Sequence, residues 1–199
     1  MAGSPHQNDD YTREISEQRQ QKDRFFADSP QSPIPHAERH GHFTGLAYYP
    51  PDATYRVAAE VVPLAQPIIT QMATSTSEIR PQARFAELRF ALGGQRLRLF
   101  GYTDPHERHV HELFVPFRDA TSGRETYGAG RYLEVEITRG ADGALTAIVD
   151  FNLAYSPYCA YSPDYSCPIP PAENTLPVAI TAGERTYPGD SAGDQGHHH

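Results

Sequence analysis

The feature that most constrains the fold is a regular alternation of apolar and polar residues on either side of short glycine turns. In residues 84–92 apolar side chains alternate with charged ones, the turn Gly93-Gly94 follows, and residues 96–102 resume the alternation. Successive side chains of a β-strand point to opposite faces, so a strand with one buried face shows this period of two. Two such runs joined by a tight glycine turn predict a β-hairpin.

The same pattern predicts a second hairpin further along the chain. Residues 133–138 alternate, residues 139–143 contain glycines and an aspartate and form the turn, and residues 145–151 alternate again. Weaker strand signals lie at residues 43–49, 55–62, 68–74, 113–117 and 176–181. We therefore expect a mainly β fold, an antiparallel barrel or sandwich of about six to eight short strands.

One helix is expected ahead of the strands, at residues 10–28. These residues are mostly polar helix formers, and Asp9 or Asp10 can cap the first turn. Ser29-Pro30 ends the segment, because a residue before proline avoids the α region. The few large apolar side chains are Tyr11, Ile15, Phe25 and Phe26. A helix with so narrow an apolar face is expected on the surface of the protein.

No repeat and no composition shift divides the chain, so we expect a single globular domain at residues 10–183. Its expected parts are the helix (10–28) and a β region (43–181) that includes an irregular loop (152–175). We expect a disordered N-terminus at residues 1–9 and a flexible tail, rich in Gly, Asp and Ser, at residues 184–199.

The charge of the chain argues against a nucleic-acid partner. Its formal net charge is −8 and its arginines are scattered, which offers no basic surface to a phosphate backbone. No apolar run approaches the roughly 20 residues that a membrane helix needs, and the N-terminus lacks the regions of a secretory signal. These features favour a cytoplasmic protein whose two cysteines are thiols. The sequence assigns neither a cofactor nor an oligomeric state.

The most unusual segment is the loop at residues 152–175, called the Tyr/Pro/Cys loop below. It holds four tyrosines, five prolines and both cysteines. Proline fixes backbone torsions and tyrosine joins an apolar face to a hydroxyl, so the loop can be rigid and packed without regular structure. Long ordered loops in compact domains are usually functional. The loop therefore either covers a ligand site or only seals one end of the core.

Our leading interpretation is a pocket for a small polar or anionic ligand beneath this loop. Two arginines, Arg118 and Arg131, flank a polar and glycine-rich stretch, and two guanidinium groups at one site favour a carboxylate or phosphate. The ligand-binding residues would be Arg118, Asp119, Arg131, Asn152, Tyr155, Tyr158, Tyr161 and Asn174. The alternative for this stretch is a plain hairpin loop, in which Asp119 bonds its own backbone.

Three other interpretations are open. An enzyme would use Asp150 or Glu173 as general base, with Tyr158 or Cys159 as acid or nucleophile. A protein-interaction module would have a filled β interior and no pocket, and would dock a partner on the helix or on a strand edge. The third is a metal site, although the two cysteines lie farther apart in the sequence than the paired cysteines of zinc motifs. The candidate ligands are Cys159, Cys167, His109 and His111.

Several longer motifs extend over most of the chain. They are Lys-Asp-Arg-Phe-Phe at 22–26, Phe-Thr-Gly-Leu-Ala-Tyr-Tyr-Pro-Pro-Asp at 43–52, and residues 32–34, 114–117, 131–133, 150–152, 159–161, 167–171, 173–174 and 182–184. In these motifs residues 10–185 resemble a bacterial and archaeal family catalogued as domain of unknown function 1684. The resemblance implies one folding unit that includes the helix, the β region and the Tyr/Pro/Cys loop, and it implies no activity. The clustered histidines lie outside these motifs.

Overall fold

The computed structural model describes residues 5–39 and 42–188 and shows a closed β-barrel with one long helix. The elements are α1 (Pro5–Asp28), α2 (His36–Arg39), β1 (Arg56–Ala73), β2 (Ile79–Leu92), β3 (Gln95–Thr103), β4 (Glu112–Phe117), β5 (Arg131–Arg139) and β6 (Leu145–Asp150). The strands are neighbours in chain order, every pair is antiparallel, and β6 pairs with β1 to close the barrel. The predicted mainly β fold with an N-terminal helix is confirmed.

The interior of the barrel is filled by the inward-facing residues of the predicted alternation. Leu88, Leu99, Leu113 and Val149 come from four different strands and are completely buried in one cluster. Burying one such side chain contributes about 1.5–3 kcal/mol to folding. The barrel interior is therefore the hydrophobic core of the protein, and the outward faces of the strands are the surfaces available to a ligand.

Strand β1 joins two segments that the sequence predicts as separate strands, residues 55–62 and 68–74. Pro63 and Pro67 lie between them, and proline cannot donate a hydrogen bond to a neighbouring strand. The pairing of β1 with β6 ends at Val61, and the register against β2 shifts after Pro63. Both prolines therefore lie where one edge of β1 has no strand beside it, which is where a sheet tolerates proline.

Beyond Val61 strand β1 pairs only with β2, and from Ile69 onward the two strands run past the end of β3 as a two-stranded ribbon. Met72 of this ribbon is buried against Tyr102 on the outer face of β3. Ile69 and Ile79 are 53% and 64% exposed. The ribbon therefore covers part of the outer face of β3 and keeps apolar side chains on its own surface.

Asn174 closes a gap between β3 and β4, which pair only at Tyr102 and Phe114. Its side-chain oxygen accepts a hydrogen bond from the backbone N–H of Phe100 at 2.8 Å, and its amide group donates to the carbonyls of Phe100 and Pro116 at 2.9 and 2.7 Å. The side chain thus takes the place of a strand, and it satisfies backbone groups that would otherwise be buried without partners.

The prediction of strands at residues 43–49 and 176–181 is wrong. The first contains only an isolated bridge, and the second is irregular backbone. The second makes isolated backbone bonds to residues 118–120, from the Leu176 N–H to the Arg118 carbonyl and from the Ala120 N–H to the Val178 carbonyl. Its end is held by a side chain, because the Arg131 guanidinium donates to the Ile180 carbonyl. An extended apolar segment can therefore lie on the barrel without joining its sheet.

Helix α1 lies on the surface and is fixed to the barrel along its length. It begins at Pro5, ahead of the predicted start, and proline suits a first turn because its missing N–H needs no partner there. Ile15 and Phe26 are buried, and the Tyr11 hydroxyl donates to the Asp150 carboxylate at 2.8 Å. Among the described residues no helix has the length and apolar character of a membrane span.

The two ends predicted to be flexible are partly structured. Residues 5–9 belong to α1, and residues 1–4 lie outside the described residues. At the other end Glu184 is 2% exposed, and the ring of Tyr187 packs against Tyr161 with 5.5 Å between centroids. The domain therefore extends beyond residue 183, and residues 189–199 of the predicted tail lie outside the described residues.

Candidate ligand groove

Arg131, the central residue of the predicted anion pocket, is fully buried at the end of the barrel. Its guanidinium donates to the carbonyls of Ile180 and Glu184 at 2.9 and 3.0 Å and to that of Ala182, and it lies 3.6 Å from the Asp119 carboxylate. Burial lowers the pKa of Arg131, while Asp119 raises it. This guanidinium joins the C-terminal segment to the barrel, and its Nη atoms donate to protein carbonyls.

Three further predicted ligand residues also bond the protein itself. Arg118 is half-buried and donates to the carbonyl of Ala129 at 3.2 Å. Asn152 exchanges hydrogen bonds with the backbone of Asp52 at 2.8 and 2.9 Å. Asn174 bridges β3 and β4 as described above. The structure therefore places these polar groups in the framework of the barrel rather than around one shared cavity.

The predicted catalytic residues are distributed over separate places. Asp150 accepts hydrogen bonds from Tyr11 and from the backbone of Asn152, at 2.8 and 3.0 Å. Glu173 lies 3.2 Å from the Arg84 guanidinium. Of the proposed acids and nucleophiles, Tyr158 lines the groove described below, and neither Asp150 nor Glu173 lines it. The predicted base and the predicted acid are thus not brought together at this groove.

Glu184 is a buried carboxylate that the sequence interpretation assigned to the tail. It pairs with Lys22 of α1, and its second oxygen accepts hydrogen bonds from the backbone of Ser156 at 2.8 Å and the hydroxyl of Tyr161 at 2.6 Å. Burial raises the pKa of Tyr161 well above its ordinary value, and the charge of Glu184 adds to this. Tyr161, a predicted ligand residue, therefore helps to hold α1, the Tyr/Pro/Cys loop and the C-terminal segment together.

An open groove with a volume of about 1350 Å³ lies on the outer face of β3, β4 and β5. A row of aromatic side chains lies along its floor, from Tyr102 through Phe114 and Tyr132 to Tyr155. The ring centroids of Phe114 and Tyr132 are 4.8 Å apart, and those of Tyr132 and Tyr155 are 5.7 Å apart, both edge to face. Residues of the Tyr/Pro/Cys loop and of the β1–β2 ribbon also line the groove, and the two segments are joined to each other by backbone hydrogen bonds.

The walls of the groove are strongly acidic. The carboxylates that line it are Glu78, Asp104, Glu107, Glu112, Glu134 and Asp164. The lining cations are Lys22 and Arg80, and Lys22 is paired with the buried Glu184. The groove thus carries an excess of negative charge, which is the opposite of what the anion-pocket hypothesis requires.

Glu134 connects the acidic wall to the aromatic floor. It lies on the outward face of β5, and its carboxylate accepts a hydrogen bond of 2.7 Å from the Tyr155 hydroxyl. Desolvation raises the pKa of Glu134, the Tyr155 hydrogen bond lowers it, and the neighbouring Glu112 raises it further. Burial likewise raises the pKa of Tyr155, with Glu134 adding to the shift. The Glu134 side chain is exposed on the strand surface, but its carboxylate is partly desolvated beside Tyr155 and close to a second carboxylate.

The cysteines and histidines do not assemble a metal site among the described residues. The backbone N–H of Cys159 donates to the Cys167 sulfur at 3.3 Å, so the two cysteines are neighbours. His109 and His111 are exposed and line the groove, as does Cys167. In residues 5–39 and 42–188 no group of three or more His, Cys, Asp or Glu side chains is placed to hold a metal ion.

The sequence interpretation missed the residues that form the groove floor. Phe114 and Tyr132 occupy outward positions of β4 and β5, where a barrel strand in water usually has polar side chains. Aromatic residues at outward positions of neighbouring strands were the available signal. They indicate an outer face that is covered by another segment or that receives a ligand.

Comparisons with known proteins match this domain to others without an assigned activity. The model of a family described as "Protein of unknown function (DUF1684)" matches residues 41–185. The solution NMR structure of an uncharacterized protein from Haloarcula marismortui is similar, with a TM-score of 0.69 and 42% sequence identity, covering 91% of this chain and 97% of that chain. No curated protein matches the chain.

Proposed function

Because the chain belongs to the DUF1684 family, whose description assigns no activity, we propose its function from the groove itself. We propose that the protein binds a small polar ligand there, beside the Tyr/Pro/Cys loop, and that this ligand is positively charged. The sequence favoured an anionic ligand because of Arg118 and Arg131. Both guanidinium groups donate to backbone carbonyls of the protein.

The observation that supports a cationic ligand is the combination of acidic walls with an aromatic floor. The carboxylates that line the groove outnumber its lysine and arginine side chains six to two. An acidic groove raises the local concentration of cations and disfavours anions. A cation over an aromatic face gains a further binding free energy of about 0.5–2 kcal/mol from the quadrupole of the ring.

The exposed part of the aromatic surface lies where a ligand would enter. Tyr158 is 38% exposed, and Tyr155 and Tyr165 are partly exposed at the edge of the Tyr/Pro/Cys loop. The rings of Tyr158 and Tyr165 pack edge to face with 5.2 Å between centroids. The Glu134 carboxylate accepts a hydrogen bond from the Tyr155 hydroxyl, so a negative charge lies beside this aromatic surface.

Titration of isotopically labelled protein with small ions, followed by two-dimensional NMR, tests this proposal. The cationic probes are tetramethylammonium and agmatine, and the anionic probes are acetate and malonate, all at low ionic strength. We expect the cations to shift amide signals of β4, β5 and residues 155–168, and the anions to leave them unchanged. Equal responses to both sets of probes would reject a charge-selective groove.

A matched pair of variants locates the site. Glu134→Gln should weaken the binding of agmatine about tenfold, since a hydrogen bond to a charged group contributes about 1.5 kcal/mol. Glu136→Gln removes a carboxylate from the same outward face of β5, and Glu136 does not line the groove, so binding should be retained. If the two substitutions weaken binding equally, general surface charge explains it and the groove does not.

A further inference from the structure

Two cysteines meet where the Tyr/Pro/Cys loop folds back on itself. Cys159 lies in the short 3-10 turn Tyr158–Ala160, and its backbone N–H donates to the Cys167 sulfur at 3.3 Å. The interaction between the two thiols is the largest cause of the pKa shift of each. Seven residues separate them in the sequence, and the folded loop returns the second thiol to the first.

Hydroxyl groups from two other parts of the fold surround the Cys159 sulfur. The Tyr127 hydroxyl lies 3.6 Å from it, and the Ser75 hydroxyl, which accepts a hydrogen bond from the Cys167 N–H, also lowers the pKa of this thiol. Together with the Cys167 thiol these groups can stabilise a thiolate at Cys159. They lower the pKa of Cys159 to about 6, mainly through the Cys167 hydrogen bond, although burial acts in the opposite direction. The same contact raises the pKa of Cys167.

The remaining groups near the pair are a tyrosine and an arginine. Burial raises the pKa of the Tyr132 hydroxyl, and the charges of Cys167 and Cys159 raise it further. Arg80, on the ribbon strand β2, lowers the pKa of Cys167 and so partly offsets the effect of Cys159. The Tyr127 hydroxyl beside the Cys159 sulfur and the direction of both pKa shifts favour Cys159 as the more acidic thiol of the pair.

The pair is both accessible and held in place. Each cysteine is partly exposed, and Cys167 lines the groove, so a small molecule can reach it from solvent. The backbone of Cys167 is fixed to the tip of the ribbon, because the Ser75 N–H donates to its carbonyl at 3.0 Å and its own N–H donates to the Ser75 hydroxyl at 3.1 Å. A structural cysteine is usually buried and inert, whereas a reactive one is acidic and accessible.

We propose that Cys159 and Cys167 form a dithiol that reacts with small-molecule disulfides, with Cys159 as the attacking thiol and Cys167 as the resolving thiol. The Cys159 thiolate attacks one sulfur of the small disulfide, forms a mixed disulfide and releases one small thiolate. The Cys167 thiol then loses its proton and attacks the Cys159 sulfur, which forms the protein disulfide and releases the second small thiolate. The protein gives up two electrons and two protons, and the small disulfide becomes two thiols.

Mass spectrometry of the reduced protein after incubation with oxidised glutathione without oxygen tests the proposal. The unmodified chain should lose the mass of two hydrogen atoms and give a peptide in which Cys159 is joined to Cys167. Cys167→Ser should stop at a glutathione adduct on Cys159. The matched variant Cys159→Ser should react at least tenfold more slowly at pH 7, since only the less acidic thiol is left. Glutathione adducts that form at equal rates on both variants would overturn the proposal.

Alkylation of the unmodified protein gives a second test that does not depend on the folding of variants. Iodoacetamide is added over a range of pH, and the two cysteine peptides are quantified separately. The rate at Cys159 should rise through a midpoint near pH 6, while Cys167 should still react slowly at pH 8. If both rates instead follow one midpoint near the ordinary thiol pKa of about 8.5, the pair has no distinct attacking thiol and the proposal fails.

Discussion

Arg131 and Glu134 lie three residues apart on β5 and face opposite environments. Arg131 points to the closed end of the barrel, where it is completely buried and donates to three carbonyls. Glu134 points outward, where it is exposed and accepts a hydrogen bond from the Tyr155 hydroxyl at the groove. One strand thus contributes to the framework with one face and to the candidate binding surface with the other.

This difference shows why a charged residue cannot be assigned a role from its chemistry alone. A guanidinium can recognise a ligand, or it can supply the donors that an irregular segment lacks. Arg131 has the second environment, and its removal would take the buried cation from Asp119 and a donor from the carbonyls of Ile180 and Glu184. Removing Glu134 takes an acceptor only from the partly exposed Tyr155 hydroxyl. Substitutions on the two faces should therefore have very different effects on stability.

The largest effect is expected from Arg131→Ala. It leaves the Asp119 carboxylate without its buried cation, and breaking a buried ion pair costs about 3–5 kcal/mol. Urea unfolding followed by circular dichroism measures the loss. Arg139→Ala is the control on the same strand, because Arg139 is exposed and its substitution should change the free energy of unfolding by less than about 0.5 kcal/mol. Similar small changes for both variants would mean that the Arg131 guanidinium is available for a ligand.

A somewhat smaller loss is expected from Asn174→Ala. The substitution leaves the N–H of Phe100 and the carbonyls of Phe100 and Pro116 without this partner, at a cost of about 2–3 kcal/mol. Thr175→Ala, at the next and exposed position, is the control. Hydrogen exchange of the Phe100 amide should accelerate in Asn174→Ala alone. Unchanged exchange there would show that β3 and β4 hold together without the side chain.

The smallest effect is expected from Glu134→Gln, which should leave stability at neutral pH unchanged or slightly increased. The raised pKa of Glu134 means that ionising it costs more in the folded than in the unfolded protein, so its effect on stability becomes unfavourable as pH rises above its unfolded pKa of about 4.3. The substitution removes that penalty, which solvent screening keeps below about 0.5 kcal/mol. Unfolding curves at pH 4 and pH 7 measure it. A variant that is less stable at pH 7 would assign Glu134 to the framework.

The barrel could be predicted from the sequence because its strands follow a simple physical rule. Strands with a buried inner face, such as β2 and β5, alternate in hydrophobicity, and the glycine turns mark their ends. The alternation fails as a guide where an extended segment is held by a loop and a side chain instead of by a strand. Residues 176–181 are of this kind, since nothing local in the sequence shows that they will bond the backbone of residues 118–120 and the Arg131 guanidinium.

The groove could not be predicted because its residues come from strands and loops far apart in the chain. Phe114 and Tyr132 are adjacent only because β4 pairs with β5, and Tyr155 reaches them only because the loop pairs with Tyr132. The Tyr/Pro/Cys loop itself was the correct segment to select, since Tyr155 and Tyr158 lie at the groove. The sequence did not show that the site is acidic. It could not reveal that the Arg131 guanidinium is buried in the interior while the carboxylates of the groove lie on the surface.

The dependence of Arg131 and Lys22 on residues 180–184 also affects how the chain folds during synthesis. Those residues leave the ribosome after all six strands and after α1. Until then the Arg131 guanidinium lacks the carbonyls it binds, and Lys22 lacks the Glu184 carboxylate that fixes α1 to the barrel. The nascent barrel therefore stays incomplete at one end until translation of the domain is nearly finished, and its final closure is a late event.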